Sequence, residues 1–418
     1  MIDIDLLRKD PSTVTANLAR RGVDAGAIKK VLALDEEWRA LTLQIEQSQA
    51  AKNQANAAIA AASQEKRASL IASLQAKTAE AKTNAQRLDE LTTERAVAWQ
   101  ALPNLVFDDV PDGGAEQFEV IRESAVKPTD GGRDYFSLTE PTYIDLERAA
   151  KVSGSRFVYL KSYVARLELA LVSYIFDQLT PRGFTPVLPP VLIKRDAMAG
   201  MGYLEQAEDE VYQTQDDLYL VGTSEQALGP LHMNETLLSE TLPLRYVAYS
   251  SCFRREAGSH GKDVRGILRL HQFNKVEMFS FTTPEHSQTE HEFLLEQQTA
   301  IMDALQLPYR VIKLAARDLG APSAKTYDIE TWIPSENKYR ETHSTSNTTD
   351  YQSRRLNIRV KGSDNASTKA HLLNGTALAM SRALIALLEN HQQADGSIAI
   401  PTALHSYLPF TSIPAQPT

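Results

Sequence analysis

The sequence predicts an α+β protein: a long antiparallel helical hairpin (a coiled coil) followed by a domain with a mainly antiparallel sheet flanked by helices. Three observations carry the prediction. Residues 28–62 contain no Gly or Pro and place Val31, Leu34, Trp38, Leu41, Ile45, Ala55, Ile59 and Ala62 on alternating steps of three and four, interrupted at Ser48 and Lys52. Residues 70–102 do the same at Leu70, Leu74, Ala81, Leu88, Leu91, Ala98 and Leu102. Beyond about Tyr143 the chain alternates β-rich and amphipathic stretches, with several strands too close in sequence for crossover helices, which favours antiparallel pairing.

The two N-terminal runs are joined by "SQEKR", residues 63–67, a connector so short that the helices must pack antiparallel. Each spans roughly 50 Å at about 1.5 Å per residue, longer than a globular core needs. The stripe weakens towards the turn, where "QAAKNQANAAIAAA" has eight alanines in fourteen residues. Alanine sustains helix but buries little surface, so the tip should be thin. By itself such a hairpin reads equally as an oligomerisation or spacer coil. Pro103 ends it, and "DDVPDGGAEQ" and "KPTDGGRD" form a polar, turn-rich stretch. The expected organisation is a helical arm over 1–105 with its coil at about 28–102, a connector over 106–142, and a second domain over 143–418.

Within that second domain "RLELALVSYIFDQLT", "HSQTEHEFLLEQQTAIMDALQL" and "ALAMSRALIALLEN" read as helices, and "LYLVGT", "LRYVAYSSCFRRE", "KVEMFSFT" and "YRVIKLA" as strands. "GFTPVLPPVLI" is extended, because its prolines forbid helix. The formal net charge of −9 argues against a generally basic nucleic-acid binder while leaving local basic patches open. Residues 1–100 carry fourteen Lys/Arg against thirteen Asp/Glu, so the negative excess lies downstream. One cysteine, Cys252, excludes an internal disulfide framework, and no zinc site is expected. The charged start and the lack of a long apolar run point to a cytoplasmic protein without membrane contact.

The chemistry concentrates in "CFRREAGSHGKDVRGILRLHQFNKVE", residues 252–277. If "CFRRE" is a strand, Arg254 and Glu256 share one face and Arg255 takes the other. On the returning strand Arg269, His271, Phe273 and Lys275 would share a face. An arginine can pair with phosphate, a carboxylate can accept from an amine, and a ring can stack on a base. The same residues would also make an ordinary solvated hairpin.

This stretch resembles the second signature motif of class II aminoacyl-tRNA synthetases, and its surroundings are similar to the seryl-tRNA synthetases. "RGFTPVLPPVLI" resembles the first motif, which supplies a subunit interface, and "NGTALAMSRALIALLEN" the third, which presents Arg382. "LERAAKVSGSRF" and the closing "DGSIAIP" extend the likeness over essentially the whole chain. The resemblance implies a class II catalytic domain, a homodimer, and activation of serine by ATP with Mg2+, followed by transfer to serine tRNA, with selenocysteine tRNA left open as a second acceptor. It implies that Thr223, Ser224, Glu225, Arg254, Glu277 and Thr376 surround serine. Arg254, Arg255, Glu256, Leu270, Phe273, Glu341, Thr342, His343, Ser344 and Arg382 would surround ATP, with Arg254 and Arg382 on its phosphates. Glu341 and Ser344 would hold the metal through ATP.

Two positions depart from the family's usual pattern. Thr376 stands where a serine is common, and His343 where the first of two serines is common. Strand alternation would put Glu341 and His343 on one face, yet magnesium prefers oxygen ligands. The resemblance also turns the hairpin into a tRNA-binding arm that holds RNA backbone by shape and a few phosphate contacts. Its basic candidates are Lys29, Lys52, Lys66, Arg67 and Lys77. Two rival readings share the core: an amino-acid:carrier-protein ligase that ignores tRNA, and a non-catalytic paralogue acting as a binding protein. The long arm argues against the first, and Arg254, Glu256, Glu277, Glu341 and Arg382 argue against the second.

Overall fold

The computed structural model describes residues 1–204, 208–257, 266–363 and 365–416, apart from the side chains at 69, 72, 73, 76, 77 and 208. The chain forms two compact units, Ile2–Pro103 and Asn104–Thr418, the second also taking Met1. Lys77 and most of the loop inside the charged motif, residues 258–265, lie outside the described parts.

In the N-terminal unit two short helices, Ile4–Lys9 and Pro11–Arg20, lead into the long helices α1 (Ala25–Ala61) and α2 (Gln64–Gln100). Asp24 caps α1 by accepting from the Gly26 amide, satisfying one of the orphan donors of its first turn. Every side chain of the expected seam is buried or half-buried, which is the periodicity expressed as packing. Burial is complete only near the base, at Leu7, Val14, Leu18, Ile28, Val31, Leu91 and Leu102. Between Asp35 and Leu91 no described side chain is fully buried, as the alanine-rich composition dictates. At the tip, Arg67 donates to the carbonyls of Ile59 and Ala60 at 3.1 and 3.3 Å. It closes the last turn of α1, a structural use for one of the basic candidates.

One polar residue of α1 is unexpectedly central to the base. Asp35, 1% exposed, accepts from Arg8 at 2.8 Å, Arg39 at 3.1 Å and Arg95 at 2.8 Å. The Arg95 guanidinium lies 4.8 Å from the Trp38 ring centroid and 5.0 Å from that of Trp99. Burial pushes the Asp35 carboxyl up, but the guanidinium partners outweigh it and hold the group below its ordinary value.

The second unit is built on an eight-stranded sheet. Its strands are β1 (Glu119–Glu123), β2 (Phe184–Val187), β3 (Leu244–Phe253), β4 (Gln272–Thr282), β5 (Tyr309–Lys313), β6 (Lys325–Ile333), β7 (Lys338–Asn347) and β8 (His371–Ala379). Their order is β1-β5-β6-β7-β8-β4-β3-β2, antiparallel throughout except for the parallel pair β2–β3. Residues 106–142, expected to be a connector, supply the edge strand β1. Its five side chains are all exposed, so no alternation marked it in the sequence.

Helices α3 (Ser162–Leu179), α4 (Ser287–Ala304) and α5 (Met380–Asn390) form one core with the sheet. Leu171, Ile175, Leu294, Ile301, Leu384 and Leu387 bury against Val247, Val276 and Ile329. Each such side chain contributes about 2 kcal/mol relative to exposure. The β7–β8 ladder is short, running only from Asn347↔Leu373 to Thr345↔Gly375. Past that point Gln298 of α4 donates to the carbonyls of both Ser344, at 3.1 Å, and Thr376, at 2.8 Å. A buried side-chain amide thus replaces a missing rung, and the sheet opens there without stranding backbone acceptors.

Candidate active site

A cleft of about 760 Å³ lies where the sheet opens. Alternation along β4 turns Phe273, Lys275 and Glu277 into it. The ladder sets Thr376 of β8 opposite Glu277, and the threonine hydroxyl donates to the Glu277 carboxylate at 3.4 Å. Thr223 and Glu225 enter from the start of the short helix Glu225–Leu228. Glu225 accepts from the Tyr203 hydroxyl at 2.9 Å and from the Gln352 amide at 3.0 Å. Lys275 pairs directly with Glu277. Burial pushes the Glu277 carboxyl up, opposed first by Lys275.

A second charge grouping faces the same cleft. Arg254 follows the end of β3, donates through Nε to the Gly222 carbonyl at 3.2 Å, and lies 5.3 Å from the Phe273 ring centroid. Glu256 pairs with Arg269 at 3.4 Å. Arg382, in the first turn of α5, lies 3.0 Å from a Glu341 carboxylate oxygen and donates to the Glu341 carbonyl at 2.9 Å. The motif's return is pinned where the Ile267 amide donates to the Tyr135 hydroxyl at 2.8 Å. Gly266 has φ +87° there, and a Cβ would collide with that hydroxyl at 1.7 Å.

The cleft gathers Thr223, Glu225, Arg254, Glu256, Leu270, Phe273, Glu277, Glu341, Thr342, Ser344, Thr376 and Arg382. Three expected residues are elsewhere. Ser224 is fully buried, its hydroxyl 2.7 Å from that of Ser250. Arg255 is exposed, and its amide donates to the Glu210 carbonyl at 2.9 Å. His343 is 1% exposed and faces the protein interior.

The reason for His343 is a β-bulge. The β6–β7 register steps from Ile329↔His343 to Glu330↔Glu341, so Thr342 is an extra residue. Simple alternation would pair Glu341 with His343. The extra residue instead brings Glu341, Ser344 and Ser346 to the cleft and turns the imidazole inward. There His343 Nδ1 lies 2.8 Å from the Thr342 hydroxyl, and burial drives its pKa down to about 3.

The motif itself also departs from the simple strand reading. β3 ends at Phe253, so Arg254 and Glu256 are not strand neighbours, and Glu256 is left-handed with φ 52°. β4 begins at Gln272, leaving Arg269 and His271 in irregular chain. His271 Nδ1 lies 3.0 Å from the Arg254 carbonyl and serves the backbone rather than the cleft.

The donor set suits a hard cation. Asp328 of β6 lines the cleft beside Ser344 and Glu341, and its Oδ1 is buried with no hydrogen-bond partner among the described residues. Burial, then the Glu341 charge, pushes its carboxyl far above the ordinary value. An orphaned carboxylate oxygen with Glu341 and Ser344 nearby fits magnesium's preference for oxygen. No group of three or more His, Cys, Asp and Glu among the described residues is arranged to hold a metal ion alone. Asp328 and Lys275 escaped the sequence reading. Lys275 was placed on the right face without a role, and nothing in "KTYDIETWI" singles out its aspartate.

Residues 1–106 match the model of the seryl-tRNA synthetase N-terminal domain, and residues 207–391 that of the tRNA synthetase class II core domain (G, H, P, S and T). The serine–tRNA ligase of Acidothermus cellulolyticus is 46% identical over 98% of both chains. The chain belongs to the seryl-tRNA synthetase family. The serine–tRNA ligase of Streptomyces coelicolor is also 46% identical, over 98% of this chain and 97% of that one. Among solved structures, seryl-tRNA synthetase from Pyrococcus horikoshii complexed with ATP superposes with TM-score 0.91 at 36% identity, over the full length of both chains. Membership of this family makes the chain a class II ligase with an ATP-dependent chemistry, and residues 252–277 and 374–382 both contribute side chains to the cleft.

Proposed function

We infer that the cleft joins serine to ATP and then delivers the seryl group to the 3′ end of serine tRNA. The observation that carries this is the pairing of two charge groupings in one cleft. Glu225, Glu277, Lys275 and Arg254 match a zwitterionic amino acid, and Arg254, Arg382 and Glu256 match the phosphates and the base amine of ATP. Thr223 and Glu225 take the serine ammonium, and Glu277 with Thr376 the hydroxyl. Phe273 stacks on adenine, with Leu270 beneath it.

In the first step a serine carboxylate oxygen forms a bond to the α-phosphorus as the bond to the bridging oxygen breaks, releasing pyrophosphate. The Arg254 guanidinium neutralises charge growing on the α-phosphate, and Arg382 holds the departing end. Glu341 and Ser344 would hold magnesium together with ATP, with Asp328 adjoining them. When bound, the ion neutralises the phosphate oxygens. In the second step a terminal ribose hydroxyl of tRNA attacks the activated carbonyl, and AMP leaves. No protein nucleophile takes part, so positioning and charge stabilisation account for the rate. Ser224 and His343 act through packing and the hydrogen bonds they make inside the protein, and the exposed Arg255 faces solvent rather than the cleft.

The hairpin unit is the tRNA-binding arm. The chain acts as a homodimer, a reading supported by large apolar side chains left exposed near the first motif, Leu188 and Leu192 among them. Serine-dependent ATP–pyrophosphate exchange followed by charging of serine tRNA tests the whole reading. Exchange should far exceed that with alanine, glycine or threonine, and equal exchange with another amino acid would overturn the serine assignment. Light scattering at working concentration tests the dimer.

A further inference from the structure

We propose that Lys275 is a specificity-determining positioning residue of the serine site, whose buried ammonium holds Glu277 as an ionised acceptor for the substrate hydroxyl. The inference rests on the serine reading of this cleft and deepens it. Lys275 and Glu277 sit two apart on β4, and their side chains are only 9% and 2% exposed. Both line the cleft, so the pair is not sealed in the core. Glu277 is the one ion-pair partner of Lys275 among the described residues.

The groups facing Glu277 come from four directions. Lys275 contacts it from the same strand, and the Thr376 hydroxyl reaches it from β8. Glu225 repels it from the short helix beyond Thr223. The Cys252 thiol, Arg254 and the Tyr203 hydroxyl complete the surroundings. Burial and the Glu225 charge both favour the protonated form of Glu277, and Lys275 is the one cation in contact with it among the described residues. Without the ammonium, the largest influence opposing burial is removed and the balance at Glu277 moves towards the neutral carboxyl.

That change alters selectivity. An ionised carboxylate left unpaired in a buried site is costly, so alanine, which cannot donate to it, is rejected strongly. A neutral carboxyl left unpaired costs less, and the preference for serine shrinks. The quartet of Glu225, Glu277, Lys275 and Arg254 is also neutral in sum, as a zwitterionic substrate requires. Loss of Lys275 breaks that balance, which is restored only when Glu277 takes up a proton.

The test is ATP–pyrophosphate exchange with serine and with alanine, across pH 6 to 8.5, on wild type, Lys275→Met, Lys275→Gln, Lys275→Arg, Glu277→Gln and the Lys275→Gln/Glu277→Gln double variant. Lys275→Met and Lys275→Gln should raise the serine KM by about 30-fold and cut the serine/alanine ratio of kcat/KM by about tenfold or more, with the ATP KM within about twofold. Their serine activity should climb with pH as Glu277 ionises, whereas wild type and Lys275→Arg stay flat. On the Glu277→Gln background, Lys275→Gln should cost less than about threefold, because its target has gone. An unchanged serine/alanine ratio in Lys275→Gln would overturn the proposal, as would equal losses for serine and ATP or a full additive loss in the double variant. If Lys275→Met does not fold, Lys275→Gln and the double variant decide. Absence of serine-dependent exchange in wild type would instead strike the serine reading itself.

Discussion

The base of the hairpin and the cleft of the sheet unit handle buried charge in opposite ways. In the hairpin, Asp35 is surrounded by Arg8, Arg39 and Arg95, and its hydrogen-bonding capacity is consumed within the protein. In the cleft, Asp328 keeps a buried oxygen without a partner among the described residues, while Glu225 and Glu277 line the space a substrate would fill. A charge cluster that satisfies itself holds a structure together. One that is incomplete is held ready for something that arrives later, at a cost in stability. The two units should therefore respond to different perturbations.

The largest effect should fall on the cleft alone. Arg254→Ala should lower ATP–pyrophosphate exchange by about a thousandfold or more, since it removes the cation at the reacting phosphate. Circular dichroism and thermal melting should stay close to wild type, because among the described residues the guanidinium's contacts are one hydrogen bond to the Gly222 carbonyl and the face of Phe273. Robust exchange by this variant would remove Arg254 from the working set.

Next comes the separation of the units. Replacing residues 44–84 with a short turn should leave exchange within about twofold and cut tRNA charging on the order of 100-fold, as several phosphate contacts disappear. The excised segment holds no fully buried described side chain, so the base of the hairpin keeps its own packing. Unchanged charging would deny the arm its role, and lost exchange would show that the arm supports the catalytic fold.

Breaking the self-satisfied cluster should cost stability and not chemistry. Asp35→Ala should destabilise the hairpin unit by about 3 kcal/mol, leaving three guanidinium groups without their shared acceptor. Trp38 and Trp99 both lie in this unit, so urea unfolding followed by tryptophan fluorescence reports on it. Because the folded-state pKa of Asp35 is lowered, its contribution is complete above the ordinary aspartate range and is lost as pH falls through the folded value. Asp35→Ala should lack that acid-dependent component.

The smallest effect is expected at His343. His343→Ser should change exchange by less than about fivefold, under roughly 1 kcal/mol. The imidazole is held neutral by burial, with a pKa near 3, so the activity profile between about pH 5.5 and 8 should not alter. Its signature is in stability instead. A depressed folded-state pKa leaves the contribution intact above about 6.5 and erodes it as pH falls towards 3, so the variant should lose less stability on acidification. His291, driven down to about 4 by burial, contributes in the same sense and remains in the variant. Disappearance of an ionisation near neutrality from the activity profile would return His343 to the site.

The sequence determined whatever depends on local periodicity and residue chemistry. A three-and-four repeat of apolar residues admits little besides a helical seam, and each residue of that seam is at least half-buried. Alternation along β4 likewise fixed that Phe273, Lys275 and Glu277 share a face, because side chains in an unbroken strand must alternate. Tertiary structure decided what alternation cannot register. The extra residue at Thr342 turned His343 inward and brought Ser344 to the cleft, since a bulge shifts every later side chain to the other face. The end of β3 at Phe253 and the left-handed Glu256 put the arginine and the glutamate of the motif in the cleft by a turn, not by strand geometry. The roles of Asp35, Lys275 and Asp328 followed only from their neighbours. Whether a buried charge is neutralised, paired or left waiting depends on groups far away in sequence, and no local pattern encodes that.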